Sequence, residues 1–189
     1  MNNITKSSWF FFVPVIMTVF LSDCDQVKEL AAISFNTTLE FSIPVAELSV
    51  GSNINYDESM ILDANNNSEI RKYTGNIRSI EVQLMEFAIE NYSSVVEEEI
   101  YLNNGVIGFG DKSSSVYTST CNVDAFPITH WAGTGFFEIS DCNSTLSAIG
   151  SALSDQQAVK IFIQGTLTKA PVSFNLKVRM KVKVTATTL

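Results

Sequence analysis

Three cysteines and one histidine are the side chains of this chain best suited to covalent or metal chemistry. Cys24 follows an apolar run, in F-L-S-D-C-D-Q, where it could carry a lipid, form a disulfide or be buried as a small apolar residue. Cys121 and Cys142 could form a disulfide or remain as buried thiols. These spacings are too wide, and His130 is too isolated, for a zinc site of the C-x-x-C type. We therefore expect no metal and no cofactor.

The stretch D-A-N-N-N begins like a calcium-binding loop, with Asp63, Asn65 and Asn67 at alternate positions. Such a loop needs a glycine at its sixth position and a bidentate glutamate at its twelfth. Ser68 and Thr74 stand at those positions instead. The sequence therefore favours a polar turn that caps a short helix.

Two further groups of residues are candidates for chemistry. Glu97, Glu98 and Glu99 could attract a cation, but consecutive residues of a strand point to opposite faces, so a solvated edge is favoured. His130 and Trp131 have no serine or cysteine nucleophile motif beside them, so the histidine has no group to act on as a general base. We predict no catalytic residue. The pair is interpreted as loop residues packed over a sheet, or as a contact for a partner or ligand.

The N-terminus has the three parts of a secretory signal peptide. Lys6 lies in a short polar segment, and residues 9–21 form an apolar run interrupted by Pro14. A helix of that length spans about 20 Å, which is less than the roughly 30 Å thickness of the hydrocarbon core of a bilayer. A signal peptide at residues 1–23 is therefore predicted, rather than a retained membrane span.

The stretch L-S-D-C resembles the bacterial lipoprotein box, in which a leucine and two small residues precede an acylated cysteine. Leu21 and Ser22 fit this pattern, whereas Asp23 stands where Gly, Ala or Ser is usual. We predict lipidation at Cys24, which would attach the chain to a membrane.

One domain is predicted beyond the anchor. A tether at residues 24–32 leads to a domain at 33–189, which is long enough to bury about two-thirds of its unfolded surface. With Cys24 lipidated, Cys121 and Cys142 remain as a candidate disulfide in an oxidising compartment. The net charge is −8. Because an acidic chain repels phosphate, no nucleic-acid partner is expected.

Alternation of apolar and polar residues with a period of two is the main structural signal. In F-N-L-K-V-R-M-K-V-K-V-T-A (174–186) the apolar side chains should pack on a core, and the outward cations would discourage edge pairing. Within residues 80–89 the phase slips by one at Met85-Glu86, as it does at a β-bulge. Asn103-Asn104-Gly105 is predicted to be the tight turn of a hairpin.

The strands together predict the fold. Short helices are predicted at residues 68–73 and 144–153. About nine strands with few helices are typical of an all-β fold, a two-sheet antiparallel β-sandwich. The strand candidates are residues 39–45, 53–62, 80–89, 97–103, 105–110, 115–123, 134–140, 159–163 and 174–186.

Three stretches resemble a loose group of Bacteroidota cell-envelope lipoproteins with β-sandwich domains. They are L-D-A-N-N-N-S-E-I-R-K-Y-T-G-N-I-R-S-I-E-V (62–82), F-A-I-E-N-Y (87–92) and the closing 174–186. The resemblance implies an envelope location and a sandwich fold, and it brings no catalytic residues.

The leading hypothesis is a non-catalytic lipoprotein of the cell outer membrane, which offers its sandwich to an envelope protein complex. The alternative is a carbohydrate- or surface-binding module, secreted, periplasmic or membrane-anchored, with Trp131, Tyr117 or Phe136 as its platform. A third hypothesis, a hydrolase, requires two carboxylates that converge in a cleft, and a sequence does not show their separation.

Overall fold

The computed structural model describes residues 32–117, 119–123 and 125–187. The predicted signal peptide at 1–23, the lipidation candidate Cys24 and all but the last residue of the predicted tether lie outside the described residues. Within the described part of the chain, no helix has both the length and the apolar character needed to cross a membrane.

The described residues form six β-strands in one antiparallel hydrogen-bonded network. The strands are β1 (Ala32–Asp63), β2 (Ile77–Ser94), β3 (Tyr101–Asp111), β4 (Ser119–Val123), β5 (Phe126–Pro127) and β6 (Ala158–Thr187). The α-helices are α1 (Ser68–Arg71), α2 (Ile128–Trp131) and α3 (Leu146–Gln156), with 3₁₀ turns at Ala64–Asn66 and Ser140–Thr145. The predicted all-β class with few short helices is confirmed.

Strand β6 is central to this network. On one side it pairs with β1 along nearly its whole length, from Ala158 opposite Asp63 to Thr187 opposite Ala32. On the other side its first part pairs with β3 and its second part pairs with β2. The β1–β6 register shifts between Glu47 and Gly51. This shift divides the ladder into two arms.

The two arms form the layers of the sandwich. The first layer contains β2 with residues 32–47 and 172–187, and the second contains β3, β4 and β5 with residues 51–63 and 158–170. Apolar side chains of both layers meet in one core, where Phe174 and Ile89 lie with Ile107 and Leu167. The predicted sandwich is therefore built from fewer and longer strands, because β1 and β6 each pass through both layers.

The predicted tight turn at Asn103-Asn104-Gly105 is wrong. All three residues lie inside β3, where the register against β6 shifts between Asn103 and Val106. Asn104 has a φ of 49°, and a Cβ at Gly105 would lie 2.9 Å from the Val123 carbonyl oxygen. A β-bulge and a hairpin turn both need residues that tolerate positive φ, so the same dipeptide is compatible with either structure.

The predicted bulge in β2 is confirmed, slightly earlier than expected. The register against β6 shifts between Val82 and Leu84, after which Met85, Phe87 and Ile89 are buried. The strand predicted at residues 134–140 is wrong, since only an isolated bridge to Phe87 forms there. Gly133 and Gly135 both have positive φ, which interrupts the extended backbone in this region.

Both predicted helices are confirmed, with different boundaries. The Asn67 side chain accepts hydrogen bonds from the backbone N–H groups of Glu69 and Ile70, at 2.9 and 3.1 Å, and so caps α1. The second predicted helix begins as a 3₁₀ turn and continues as α3, which packs against β2. The hydroxyl of Ser154 accepts a 2.7 Å hydrogen bond from the N–H of Ile80 there.

Substituting Phe87 with alanine tests the packing between the layers. The side chain is fully buried, so the substitution should lower the free energy of unfolding by about 3–5 kcal/mol, measured by urea denaturation. Leu48→Ala is the matched control, because Leu48 is 76% exposed and its loss should change stability by less than about 0.5 kcal/mol. Equal effects of the two substitutions would contradict the assignment of Phe87 to the core.

Candidate functional site

Charge is divided between the two longest strands. The acidic residues of β1 are Glu40, Glu47, Asp57, Glu58 and Asp63, and this strand carries no lysine or arginine. The basic residues of β6 are Lys160, Lys169, Lys177, Arg179, Lys181 and Lys183, and this strand carries no acid. Because β6 is central, its cations do not protect an edge, and the role predicted for them is wrong.

Three of these cations, Lys177, Arg179 and Lys181, instead form ion pairs on the outer face of the first layer. Glu86 accepts a 3.0 Å hydrogen bond from Arg179 Nε and lies 3.3 Å from Lys181 Nζ. The ring of Phe136 covers this pair, with the Arg179 guanidinium 3.6 Å from the ring centre. Lys177 lies between Glu40 and Glu90, at 3.4 and 3.5 Å.

Two members of these pairs, Glu86 and Lys177, have shifted pKa values. The hydrogen bond from Arg179 is the main reason that the pKa of Glu86 lies below its ordinary value. The carboxylate of Glu40 is the main reason that the pKa of Lys177 is raised. The ion pairs on this face therefore stabilise the charged forms of Glu86 and Lys177.

His130 and Trp131 lie at the end of α2, beside the β2 edge. The Trp131 ring packs 4.5 Å from the ring of Phe137 and lies parallel to the ring of Phe126 at 6.5 Å. His130 is exposed and meets Trp131 edge to face at 5.3 Å. Trp131 is thus half-buried against the core, as the packing interpretation expected, but both residues lie in α2 and not in a loop.

The aromatic residues considered as a binding platform contact different elements. Trp131 packs against Phe137, whereas Phe136 covers Arg179 on the outer face of the first layer. Tyr117 lies over β3 and meets Phe162 edge to face at 5.9 Å. Each ring packs on its own part of the sandwich, so these contacts do not assemble the three side chains into one platform.

The structure joins Cys121 and Cys142 by a disulfide. Cys121 lies in β4 and Cys142 in the 3₁₀ turn that leads to α3, with 4.5 Å between their Cα atoms. Both residues are buried. The disulfide therefore ties the outermost strand of the second layer to the segment before α3.

The acidic and amide stretches have local structural roles. Asp63 accepts a 2.8 Å hydrogen bond from the Asn65 N–H, and Asn65 accepts one from Thr74. Together with the cap formed by Asn67, these bonds confirm the capping turn that was favoured over a calcium loop. No cluster of three potential metal ligands occurs within residues 32–117, 119–123 and 125–187.

The run of three glutamates does not converge on one point. Glu98 pairs with Lys169 Nζ at 2.5 Å, while Glu99 accepts a hydrogen bond from the Tyr101 hydroxyl, which raises the pKa of Tyr101. Glu97, Glu98 and Glu99 are all exposed. Their predicted exposure to solvent is confirmed, but the strand predicted at residues 97–103 begins only at Tyr101, so the glutamates precede β3 and do not lie within a strand.

A groove beside β1 is the surface feature that sequence reasoning missed. It has a volume of about 340 Å³ and lies between the two arms of the strand, at residues 38–41 and 60–63, with Asn66 and Asn67 at one end. The Ile61 side chain lines it and is 51% exposed. No local pattern could reveal this groove, because it depends on how far apart the two arms lie.

The interior between the layers holds a second, much smaller space. Its volume is about 30 Å³, and its lining includes Val45, Ile89, Ile163 and Phe174. A water molecule would find no polar partners on this apolar surface. The core therefore offers room for no ligand larger than a few atoms.

No protein-family model and no curated protein matches the chain. Solved structures that resemble it include a decameric BFDV capsid protein, with a TM-score of 0.36 and 9% identity over 81% of this chain and 99% of that chain. Turnip yellow mosaic virus gives 0.33 and 10% identity over 83% and 96%. Desmodium yellow mottle tymovirus gives 0.31 and 13% identity over 83% and 90%. These TM-scores are too low to support an argument about fold or function.

The Glu86 pair predicts a specific pH dependence of stability. Because the folded pKa of Glu86 lies below its ordinary value of 4.5, its contribution is complete above that value and is lost as the pH falls through the folded pKa. Glu86→Gln should lower the free energy of unfolding by about 1 kcal/mol near neutral pH, measured by urea denaturation. The difference from the unmodified chain should shrink as the pH falls below 4.5 and vanish once Glu86 is protonated in both the folded and the unfolded chain.

The matched control for this prediction is Glu81→Gln on the same strand. Glu81 is exposed and faces Lys183 across the ladder. Glu81→Gln should therefore change the free energy of unfolding by less than about 0.5 kcal/mol at both neutral and acidic pH. If the loss of unfolding free energy caused by Glu86→Gln stays constant down to pH 2, it must come from altered side-chain packing and not from the lost charge.

Removing the disulfide should destabilise the protein by about 3 kcal/mol, because the link spans a sequence separation of 21 residues and restricts the unfolded chain. The double variant Cys121→Ala/Cys142→Ala and the reduced natural chain should show similar losses in chemical denaturation. Thiol titration of the unfolded, unreduced chain provides the check. Detection of both Cys121 and Cys142 as free thiols would contradict the link.

Proposed function

We propose that this chain is a non-catalytic lipoprotein of the cell envelope, anchored in the outer membrane through Cys24, with a β-sandwich that binds a partner protein. The observation that carries the proposal is L-S-D-C at the end of the apolar run. A hydrophobic segment followed within a few residues by a cysteine in this context provides both an export signal and an acylation site.

The length of chain between the anchor and the sandwich fits this proposal. Residues 25–31 separate Cys24 from Ala32, where β1 begins. Even fully extended, that segment reaches only about 25 Å. Lipid at Cys24 would therefore hold the sandwich close to the membrane surface, within reach of other proteins in the same membrane.

The disulfide gives independent support for export. Disulfides persist in oxidising compartments such as the periplasm and are rare in the bacterial cytosol. Cys121 and Cys142 account for each other in the structure, which leaves Cys24 as the remaining cysteine. A single cysteine outside the disulfide, placed directly after the signal, fits a role in acylation.

The surface of the sandwich is the basis for the partner-binding part of the proposal. Its outer face on the first layer is occupied by ion pairs, and its aromatic side chains pack locally. The groove beside β1 remains accessible. The resemblance to Bacteroidota envelope lipoproteins implies an envelope location, which supports the proposal that the partner belongs to an envelope complex.

Lipidation is tested by expressing the full chain in a bacterial host and measuring intact mass and detergent partitioning. The natural chain should be processed, carry acyl chains and partition into detergent. Cys24→Ala should leave a larger, unlipidated precursor, as should treatment with globomycin. Cys142→Ala is the matched control, since it removes a cysteine without touching the box and should leave acylation intact.

A substitution of Asp23, directly before the cysteine, provides a second test of lipidation. Asp23→Gly restores the usual small residue, so processing of this variant should be at least as complete as that of the natural chain. Unchanged mobility of Cys24→Ala, together with full solubility of the natural chain without detergent, would contradict the lipoprotein assignment.

A further inference from the structure

The edges of the sandwich differ in how they are covered. The edge of β2 is covered by α3 and by the segment around Phe137, whose N–H and C=O exchange 2.8 Å hydrogen bonds with Phe87. The 3₁₀ turn bonded to β4 through the disulfide packs against that strand. Across the described residues, β1 forms a ladder with β6 alone. Its other side is therefore a long edge with no neighbouring strand.

Two side chains identify which backbone groups of β1 face this edge. Asn67 Nδ2 donates to the Thr38 carbonyl oxygen at 2.9 Å, and the Tyr56 hydroxyl donates to the Pro44 carbonyl oxygen at 3.0 Å. Backbone groups of successive strand residues point to opposite sides, so the even-numbered residues between these two face the edge. The N–H and C=O groups of Glu40 and Ser42 are thus directed away from β6.

The opposite side of the ladder supports this assignment. The N–H of Thr187 donates to the Asn76 carbonyl oxygen at 2.9 Å, just before β2, so odd-numbered residues of β6 face β2. Even-numbered residues of β6 then face β1, where Met180 lies opposite Leu39 and Val178 opposite Phe41. The odd-numbered residues of β1 therefore form its bonds to β6, and the even-numbered ones do not.

The accessible segment of this edge has defined ends. Pro44 has no N–H to donate, which limits pairing beyond it. Asn67 occupies one lone pair of the Thr38 carbonyl oxygen at the other end and leaves the second lone pair available. Glu40 and Ser42, between these ends, offer the alternating donors and acceptors that an added strand requires.

The groove and the charges indicate what kind of strand fits. The half-exposed Ile61 side chain in the groove can contact an apolar side chain of an added strand. Asp63 and Glu40 also line the groove, whereas no lysine or arginine does, although the Glu40 carboxylate lies 3.4 Å from Lys177 on the outer face. The strand already paired with β1 has the complementary pattern of alternating apolar and basic residues. In a second copy of this chain β6 has neighbours on both sides and is not available as the added strand, so the pattern favours a segment of another protein.

We propose that the free edge of β1 at Thr38–Pro44 binds an extended segment of a partner protein, with alternating apolar and basic residues, as an added β-strand. The proposal rests on the partner-binding function above and names the chemistry of the partner. Backbone hydrogen bonds to Glu40 and Ser42 supply the affinity, and the groove with its two carboxylates selects the side chains.

The probe for this site is a labelled synthetic peptide with the sequence of residues 176–184, L-K-V-R-M-K-V-K-V, added to the full-length chain in non-ionic detergent. It should bind with a micromolar dissociation constant in fluorescence anisotropy. A peptide with glutamate in place of each lysine and arginine should bind at least about tenfold more weakly, because it faces Glu40 and Asp63. Equal binding of the two peptides would overturn the charge assignment.

A proline substitution tests the edge itself. Ser42→Pro removes the outward N–H without removing a bond to β6, and it should weaken peptide binding about tenfold. Ser42→Ala is the matched control, because it keeps the N–H and should bind within about twofold of the natural chain. Equal affinities of the two variants would overturn the proposal.

Hydrogen exchange tests the same edge without any substitution, in case Ser42→Pro fails to fold. Adding the peptide to the natural chain should slow exchange of the Glu40 and Ser42 amides, while those of Leu39 and Phe41, already bonded to β6, change little. Slower exchange confined to another region, or no change, would overturn the proposal.

The lipoprotein and strand-addition proposals fail separately. Peptide binding by a chain that is never lipidated would support the edge site and contradict the anchor. Conversely, a lipidated chain whose peptide affinity is unaffected by Ser42→Pro would support the anchor and overturn the edge site.

Discussion

The pairing of β6 with neighbours on both sides is the constraint on which the rest of this structure depends. Its apolar residues Val178, Met180, Val182 and Val184 are buried in one layer, while its earlier residues belong to the other. Since β1 follows it through both layers, one continuous ladder links the two sheets. The core is therefore shared between them.

Charge is arranged around the same strand. In an antiparallel sheet, residues on neighbouring strands that face the same side lie close enough to form pairs. Lysine and arginine side chains on β6 meet glutamates from β1 on one side and from β2 on the other. The pair of Arg179 with Glu86 lies under Phe136, which limits its contact with solvent. The acidic character of β1 is thus only partly neutralised within the sheet.

Unpaired strand edges are a liability that proteins usually cover. Here α3 and the Phe137 segment cover β2, and the disulfide holds a turn against β4. On β1 the protection found among the described residues is limited to Pro44 and to the side chains of Asn67 and Tyr56. The segment between them combines accessible backbone groups with a groove and carboxylates. This combination, rather than exposure alone, makes the β1 edge the best candidate for strand addition.

Local signals in the sequence were sufficient for the type of structure and for several details. Alternation at 174–186 predicted a half-buried strand, and the slip in residues 80–89 predicted a bulge, because both depend only on neighbouring side chains. The cap at Asn67 was predictable for the same reason. The odd number of cysteines indicated a Cys121–Cys142 pair, although sequence alone left free thiols open.

Other features depend on contacts between distant residues. The Asn103-Asn104-Gly105 stretch meets the backbone requirements of a turn and of a bulge equally well. The pairing of β3 with β6 on both sides of it shows that it forms a bulge. Likewise, alternation in β6 does not distinguish a central strand from an edge strand, because it records burial of one face and not the number of neighbours.

By itself the sequence determined the all-β class, the buried face of each clear strand and the candidate anchor, since these follow from local composition and spacing. Only the tertiary structure decided that two strands pass through both layers, that Lys177, Arg179 and Lys181 of β6 form ion pairs and that β1 keeps a free edge among the described residues. Strand pairing joins residues more than a hundred positions apart, such as Asn36 and Lys183, so no local pattern encodes it.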